Sequence, residues 1–159
     1  MTPGVMRWVA DMVATHRLAN LSALEVGALN VNGSVRGLFT GPYLGVDMRE
    51  GPGVDLVANA HALPFPNWTF DVVVSTEMLE HDETFWISLA EMVRVLGRPG
   101  FLLLTTRAIG FPRHDYPSDY YRFTADALRV LLNREGLDII EACEDEAEQG
   151  VYALARATK

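Results

Sequence analysis

The stretch of chain at residues 70–81 combines a predicted buried strand with polar side chains at its end. Residues 70–75 form a nearly continuous apolar run, which is typical of a strand covered on both faces. Two carboxylates and an imidazole follow, on Glu77, Glu80 and His81. Because ligands in an open parallel sheet bind just outside the carboxyl ends of the strands, this pattern predicts a working site. A similar strand that ends at Gly27 makes a cofactor-dependent enzyme the leading hypothesis.

The elements that must position these residues alternate between strands and helices. Periodicity and capping signals predict helices over residues 3–17, 32–39, 83–96 and 125–135. Apolar runs predict strands over residues 21–26, 43–46, 54–58, 70–75, 101–106, 137–143 and 151–156. This alternation favours an α/β fold with a mostly parallel sheet. Residues 49–53 and 61–69 are too short or too rich in proline for full crossover helices, so we expect a compact version of that fold.

Composition limits the classes of function. The chain of 159 residues is the size of one domain, residues 1–159, and its net charge of −8 disfavours nonspecific binding to nucleic acid or to anionic membranes. The arginines at positions 94, 98, 107, 113 and 122 are interpreted as scattered solvated residues, not as a basic groove. The only cysteine, Cys143, excludes an intrachain disulfide and a four-cysteine zinc site, and no metal site is assigned. We expect a cytoplasmic protein without membrane association, since no signal peptide or long apolar run is present.

Five blocks of sequence, in order and at compatible spacing, carry a family resemblance. They occupy residues 24–34, 45–47, 59–65, 70–81 and 120–124. Together they resemble a compact, type-11-like class I S-adenosylmethionine-dependent methyltransferase over about residues 21–156. The resemblance implies a Rossmann-like three-layer sandwich. Its seven-stranded sheet would be mostly parallel, with an antiparallel last strand and reduced crossover helices.

The resemblance also implies S-adenosyl-L-methionine as cofactor, with S-adenosyl-L-homocysteine as product. Glu25 would attract the cofactor's ammonium group, and Gly27 would let the backbone approach closely. A helix start that includes Gly33 would bind the cofactor carboxylate. Asp47 would accept hydrogen bonds from the ribose hydroxyls. The remaining predicted contacts are with the adenine ring, for Met48, Asn59 and Ala60, and with the amino acid end and the methyl group, for Ser75, Thr76 and Glu77.

The chain departs from the family pattern at three positions. Leu29 and Val31 stand where the loop after the first strand usually carries glycine, and Gly33 comes two residues after Val31. Asn59 stands where aspartate is common, and its amide can both donate and accept a hydrogen bond. A nicotinamide oxidoreductase would need Gly-x-Gly-x-x-Gly in this loop, and residues 27–32 lack it.

Methyl transfer from a sulfonium is a direct displacement, so positioning carries most of the catalysis. For a hydroxyl acceptor a general base helps, and His81 or His114 is the candidate. The acceptor atom is expected to be oxygen or nitrogen, on a small molecule or a macromolecule. A homodimer and a noncatalytic module that only binds S-adenosylmethionine or scaffolds a partner are left open.

Overall fold

The computed structural model describes residues 1–115 and 117–158. Three α-helices lie in this part of the chain: α1 (Pro3–Thr15), α2 (Phe85–Val95) and α3 (Ala125–Arg134). Seven strands accompany them: β1 (Ala23–Val26), β2 (Tyr43–Asp47), β3 (Leu56–Val57), β4 (Phe70–Thr76), β5 (Leu96–Arg107), β6 (Asp138–Asp145) and β7 (Gly150–Ala157). Two short 3-10 turns complete the described elements, at Arg36–Leu38 and Leu79–His81.

The seven strands form one sheet in the order β3-β2-β1-β4-β5-β7-β6. Strands β1 to β5 are parallel to their neighbours within this group, and β7 runs antiparallel to both β5 and β6. The prediction of a mostly parallel seven-stranded sheet with an antiparallel last strand is therefore confirmed. The chain changes direction across the sheet between β1 and β4, and such a switch point leaves a crevice at the carboxyl ends of the strands.

Helices cover the two faces of the sheet. Side chains alternate along each strand, so Val72 and Val74 of β4 pack with Trp8 of α1, whereas Val73 packs with Leu89 of α2. Helix α3 lies on the same face as α2. All three valines are fully buried, and each such side chain stabilises the fold by about 1.5–3 kcal/mol relative to exposure. This arrangement confirms the predicted three-layer sandwich.

The connection between β1 and β2 differs from the prediction. Of the helix expected over residues 32–39, the described chain has only the 3-10 turn Arg36–Leu38. The Asn30 side chain accepts a hydrogen bond from the Gly33 N–H at 2.8 Å, and the Ser34 hydroxyl accepts one from the Arg36 N–H at 3.2 Å. These local bonds compete with the helical ladder, and Gly33 has a φ of 135°, far from helical values. The predicted helix start at Gly33 is therefore wrong.

The connections from β2 to β3 and from β3 to β4 contain no helix among the described residues, which confirms the expected reduction of the crossovers. Strand β3 has two residues where five were predicted. Residues 97–100, which lie before the predicted strand over residues 101–106, belong to the first part of β5, which is paired through Leu96 with Phe70. No helix of the described chain is both long and apolar enough to cross a membrane.

Candidate functional site

A cavity of about 450 Å³ opens at the carboxyl ends of β1, β2 and β4. Its volume lies within the range of roughly 300–1,000 Å³ that is usual for small-molecule sites. Every residue with a predicted cofactor contact or catalytic role, except Ser75, lines it: Glu25, Gly27, Gly33, Asp47, Met48, Asn59, Ala60, Thr76, Glu77, His81 and His114. Segments far apart in sequence therefore meet at the switch point of the sheet.

Ser75 does not line the cavity. Its side chain is fully buried, and its hydroxyl has no hydrogen-bond partner within the described part of the chain. Alternation along β4 places it on the same face of the sheet as Val73. The predicted contact between the Ser75 side chain and the cofactor is therefore not supported by this geometry, and the neighbouring Thr76 is the residue that reaches the cavity.

Glu25 is a buried carboxyl group at the end of β1. It is 2% exposed and accepts a hydrogen bond from the Tyr43 hydroxyl at 2.7 Å. Burial raises the pKa of Glu25 to about 7, against the opposing effects of the Tyr43 hydrogen bond and the Arg36 charge. A cation in the cavity would stabilise the ionised form of this group.

Asp47 lies at the end of β2, and the backbone holds its carboxylate in place. The N–H groups of Leu29 and Arg49 donate to it at 3.2 and 3.1 Å. Each carboxylate oxygen has further lone pairs that can accept hydrogen bonds from a ligand. The next side chain, Met48, is 69% exposed and forms an apolar surface of the cavity.

The backbone approaches the cavity closely at Gly27. This residue has a φ of 83°, in the left-handed region that favours glycine. A Cβ atom at Gly27 would lie 2.8 Å from Cγ of Met78. Both the conformation and the contact therefore require glycine at this position.

Asn59 and His61 form a polar edge of the cavity. The Asn59 side-chain oxygen accepts a hydrogen bond from the His61 N–H at 2.8 Å, which leaves the amide NH₂ group as the donor. The His61 ring lies 2.9 Å from the Asp82 carboxylate. Asp82 in turn accepts hydrogen bonds from the Thr84 N–H and the Ser88 hydroxyl, so it fixes the start of α2 as well as this edge.

A buried ion pair joins the ends of β4 and β5. Glu77 contacts Arg107, and both side chains are at most 10% exposed. Glu77 also accepts a hydrogen bond from the Thr105 hydroxyl at 3.2 Å. Burial, with the nearby charge of Glu80, raises the pKa of Glu77 to about 7. Its φ of 55° is uncommon for a residue other than glycine, and such strain is often found at functional sites.

Arg107 lines the cavity, and the sequence interpretation missed it as a candidate site residue. It is 5% exposed, so its interpretation as a solvated arginine is wrong. Its guanidinium lies over the Phe111 ring at 3.9 Å, and its Nε and Nη1 atoms have no hydrogen-bond partner among the residues described. Its position directly after the predicted strand over residues 101–106 could have indicated a site residue, because the polar residues at the carboxyl ends of neighbouring parallel strands lie close together.

Glu80, His81 and His114 form a compact group beside this ion pair, and we call them the Glu80 cluster. Glu80 is completely buried, which raises its pKa, and its Oε2 accepts a hydrogen bond from the Thr106 hydroxyl at 2.8 Å. The rings of His81 and His114 meet edge to face with centroids 4.7 Å apart. Burial lowers the pKa of His114, and the neighbouring His81 adds to the effect.

The model of the methyltransferase domain family matches residues 25–104, about half of the chain, and includes most of the residues that line the cavity. The chain belongs to the class I S-adenosylmethionine-dependent methyltransferase family. The match begins at Glu25 and ends within β5, so it contains the strand ends that carry Asp47 and Glu77.

Two curated relatives are also methyltransferases. The chain is 32% identical over 114 residues to a fatty-acid O-methyltransferase of Mycolicibacterium smegmatis, an alignment that covers 65% of the chain. It is 35% identical over 108 residues to a phthiotriol/phenolphthiotriol dimycocerosates methyltransferase of Mycobacterium ulcerans, over 58% of the chain. The chain spans 40% of the length of each relative.

A solved structure supports the fold. The 1,6-didemethyltoxoflavin-N1-methyltransferase of Burkholderia thailandensis, with bound 1,6-didemethyltoxoflavin and S-adenosylhomocysteine, superposes with a TM-score of 0.80 at 17% identity. The match covers 98% of this chain and 79% of that one. At this identity the likeness shows a common methyltransferase fold.

The cavity of this methyltransferase chain fits the family's cofactor in size and charge. S-adenosylmethionine combines two cationic groups, an ammonium and a sulfonium, with a carboxylate, a ribose and an adenine ring. The carboxyl groups of Glu25, Asp47 and Glu77 line the cavity. The Nε and Nη1 groups of Arg107, which lack a hydrogen-bond partner among the described residues, suit an anionic group such as the cofactor carboxylate. The helix start that was predicted to bind this carboxylate is replaced by the 3-10 turn Arg36–Leu38. The residues present therefore fit the cofactor.

Proposed function

We propose that the chain transfers the methyl group of S-adenosylmethionine to an oxygen atom of an acceptor with an apolar body. The observation that carries this proposal is the convergence of three carboxyl groups on one cavity, from the ends of β1, β2 and β4. In the family the cofactor supplies an electrophilic methyl group on a sulfonium and leaves as S-adenosylhomocysteine. The task of this chain is to hold that cofactor and to position the acceptor.

Four side chains are the candidates for holding the cofactor. Glu25 would attract the ammonium group, and Asp47 would accept hydrogen bonds from the ribose hydroxyls while its own orientation is fixed by Leu29 and Arg49. The exposed Met48 would pack on the adenine face, and the free amide NH₂ of Asn59 would donate to the adenine edge. Each of these roles remains a prediction.

An oxygen acceptor is supported by the name of one relative, a fatty-acid O-methyltransferase. The rim of the cavity also suits an apolar molecule, because Val31 and Tyr120 line it and are 57% and 49% exposed. Arg107 offers donors to a carboxylate or hydroxyl oxygen inside the cavity. A hydroxyl acceptor would lose its proton during transfer, and His81 and His114 are the predicted bases, since both line the same cavity.

The binding step is tested by calorimetric titration of the full chain with S-adenosylhomocysteine. Asp47→Ala should weaken binding at least tenfold, because hydrogen bonds to a charged group contribute about 1.5–3 kcal/mol each. Asp71→Ala is the matched control, since Asp71 lies at the other end of β4 and bonds to Ser22. Failure of the folded wild-type protein to bind at millimolar concentration would refute the proposal.

The transfer step is tested with radiolabelled S-adenosylmethionine and a panel of long-chain fatty acids, hydroxylated lipids and matched amines. We expect label in an oxygen-bearing acceptor, as an ester or an ether. Label only in amines would contradict the oxygen assignment. Binding of the cofactor without transfer to the panel or to any fraction of a cell extract would favour a noncatalytic module.

A further inference from the structure

The Glu80 cluster gathers three side chains that ligate metals. One potential ligand atom from each of Glu80, His81 and His114 lies within 4.8 Å of the other two. The His81 Nε2 lies 3.9 Å from the Glu80 Oε1. These separations exceed the roughly 3.4 Å between ligands that are each about 2.1 Å from a tetrahedral ion. The cluster would therefore have to contract by about an ångström.

Glu80 has an unpartnered oxygen aimed at this group. Its side chain is 0% exposed, and its Oε1 accepts no hydrogen bond from any residue that the structure describes. A buried polar atom without a partner costs about 1–3 kcal/mol, and more when the group is charged. The buried Nδ1 of His114 makes no hydrogen bond either, although the Asp119 Oδ2 lies 3.2 Å away. A bound cation would satisfy the Glu80 oxygen.

The surroundings of the histidines orient their rings as metal sites usually do. The His81 Nδ1 lies 2.5 Å from the Ser118 carbonyl oxygen, so Nδ1 carries the proton and Nε2 offers its lone pair towards Glu80. Metal-ligating histidines almost always donate their other N–H in this way. Asp119 accepts a hydrogen bond from the His114 N–H at 2.7 Å and is itself held by Arg122, which fixes this part of the loop.

We propose that Glu80, His81 and His114 bind one divalent transition-metal ion, with an open coordination position towards the cavity. Two imidazoles and one carboxylate suit Zn²⁺, Mn²⁺, Fe²⁺ or Co²⁺, whereas Mg²⁺ and Ca²⁺ prefer all-oxygen sites. Three protein ligands with a free position are typical of catalytic ions.

The open position gives the ion a use in the chemistry. His81 and His114 line the cavity together with Glu77, so an acceptor oxygen could bind the ion next to the methyl donor. The ion would orient this oxygen and lower the pKa of a hydroxyl, so that its proton passes to solvent water before methyl transfer and neither histidine has to act as a general base. This use rests on the proposed function, whereas metal binding itself does not.

The test uses the full chain without a histidine tag, stripped with EDTA and titrated with CoCl₂ in the absence of cofactor. We expect one Co²⁺ per chain by calorimetry and visible absorption bands of a Co²⁺ ion with nitrogen ligands, with displacement by ZnCl₂. His81→Asn and His114→Asn should each weaken binding at least tenfold. His114 is about one-third exposed on a loop, so its replacement should leave the fold intact.

His16→Asn is the matched control. His16 follows α1 and packs on Phe101 in the middle of β5, away from the Arg107 end, so this variant should bind Co²⁺ like the wild type. Absence of binding at millimolar CoCl₂, or equal affinities in the wild type and His114→Asn, would overturn the proposal. Either result leaves S-adenosylhomocysteine binding untouched, so failure of the metal site is distinguishable from failure of the proposed function.

Discussion

At the scale of single residues, the cavity is defined by carboxyl groups that folding has removed from water. Burial raises the pKa of Glu25 and that of Glu77 to about 7, although each has a polar partner. Such groups are costly to the fold when they are ionised. Their placement is understandable if a cationic ligand restores the lost interaction with water, as the ammonium and sulfonium of the cofactor would.

Glu25→Gln should change how stability depends on pH. A carboxyl group with a pKa raised from 4.5 to about 7 contributes stability that is fully present below pH 4.5 and is lost as the pH rises through 7. The loss amounts to about 3 kcal/mol. The glutamine cannot titrate and can still accept the Tyr43 hydrogen bond. Urea unfolding of both proteins without ligand should therefore show that the free energy of unfolding of the variant rises relative to that of the wild type from pH 4.5 to pH 8.

The difference between the two proteins is the quantity to compare, because other groups titrate in both. Glu50→Gln is a suitable control, since Glu50 is exposed in a loop. A difference in the free energy of unfolding that stays constant from pH 4.5 to pH 8 would contradict the burial argument for Glu25.

At the scale of elements, the sequence correctly predicted the helices and strands whose hydrophobic pattern agrees with their burial in the fold. Strand β4 and helix α3 were found with nearly correct ends, because an apolar run and a Thr124 cap mark them. The predicted helix over residues 32–39 failed because Asn30 and Ser34 bond to the local backbone, a competition that residue pattern does not reveal. The extent of β5 was missed because pairing with β4 draws residues 96–100 into the sheet.

Thr124→Ala should destabilise the fold by about 1 kcal/mol. The Thr124 hydroxyl accepts a hydrogen bond from the Ala127 N–H at 3.1 Å, and loss of such a cap leaves a backbone donor at the start of α3 without its partner. Thr84→Ala is the matched control, because the Thr84 side chain makes no capping bond at the start of α2 and its hydroxyl makes only a long contact of 3.3 Å with the His61 Nε2. Chemical denaturation that ranks Thr84→Ala as the more harmful change would contradict this reading of the two caps.

At the scale of the whole molecule, the sheet order brings residues 25 to 114 around one cavity. The sequence predicted most of the cavity residues because each follows a recognisable strand, and parallel strands end on the same edge. It could not predict that Arg107 pairs with Glu77, because this contact depends on the register between β4 and β5. The Glu80 cluster likewise needs the loop after β5 to fold back, where the Tyr120 N–H donates to the Glu80 carbonyl at 2.8 Å.

A ligand that bridges so many elements should stabilise the entire fold. S-adenosylhomocysteine at 100 times its Kd should raise the free energy of unfolding by about 2.7 kcal/mol, which corresponds to a Tm increase of roughly 5–11 °C for a chain of this size. Asp71→Ala should show the same increase at the same concentration of S-adenosylhomocysteine. Asp47→Ala should show roughly half of it or less, because a tenfold weaker Kd reduces the stabilisation by the ligand by about 1.4 kcal/mol. A wild-type Tm that S-adenosylhomocysteine leaves unchanged would mean that the cavity does not bind it, whatever the arrangement of its carboxylates.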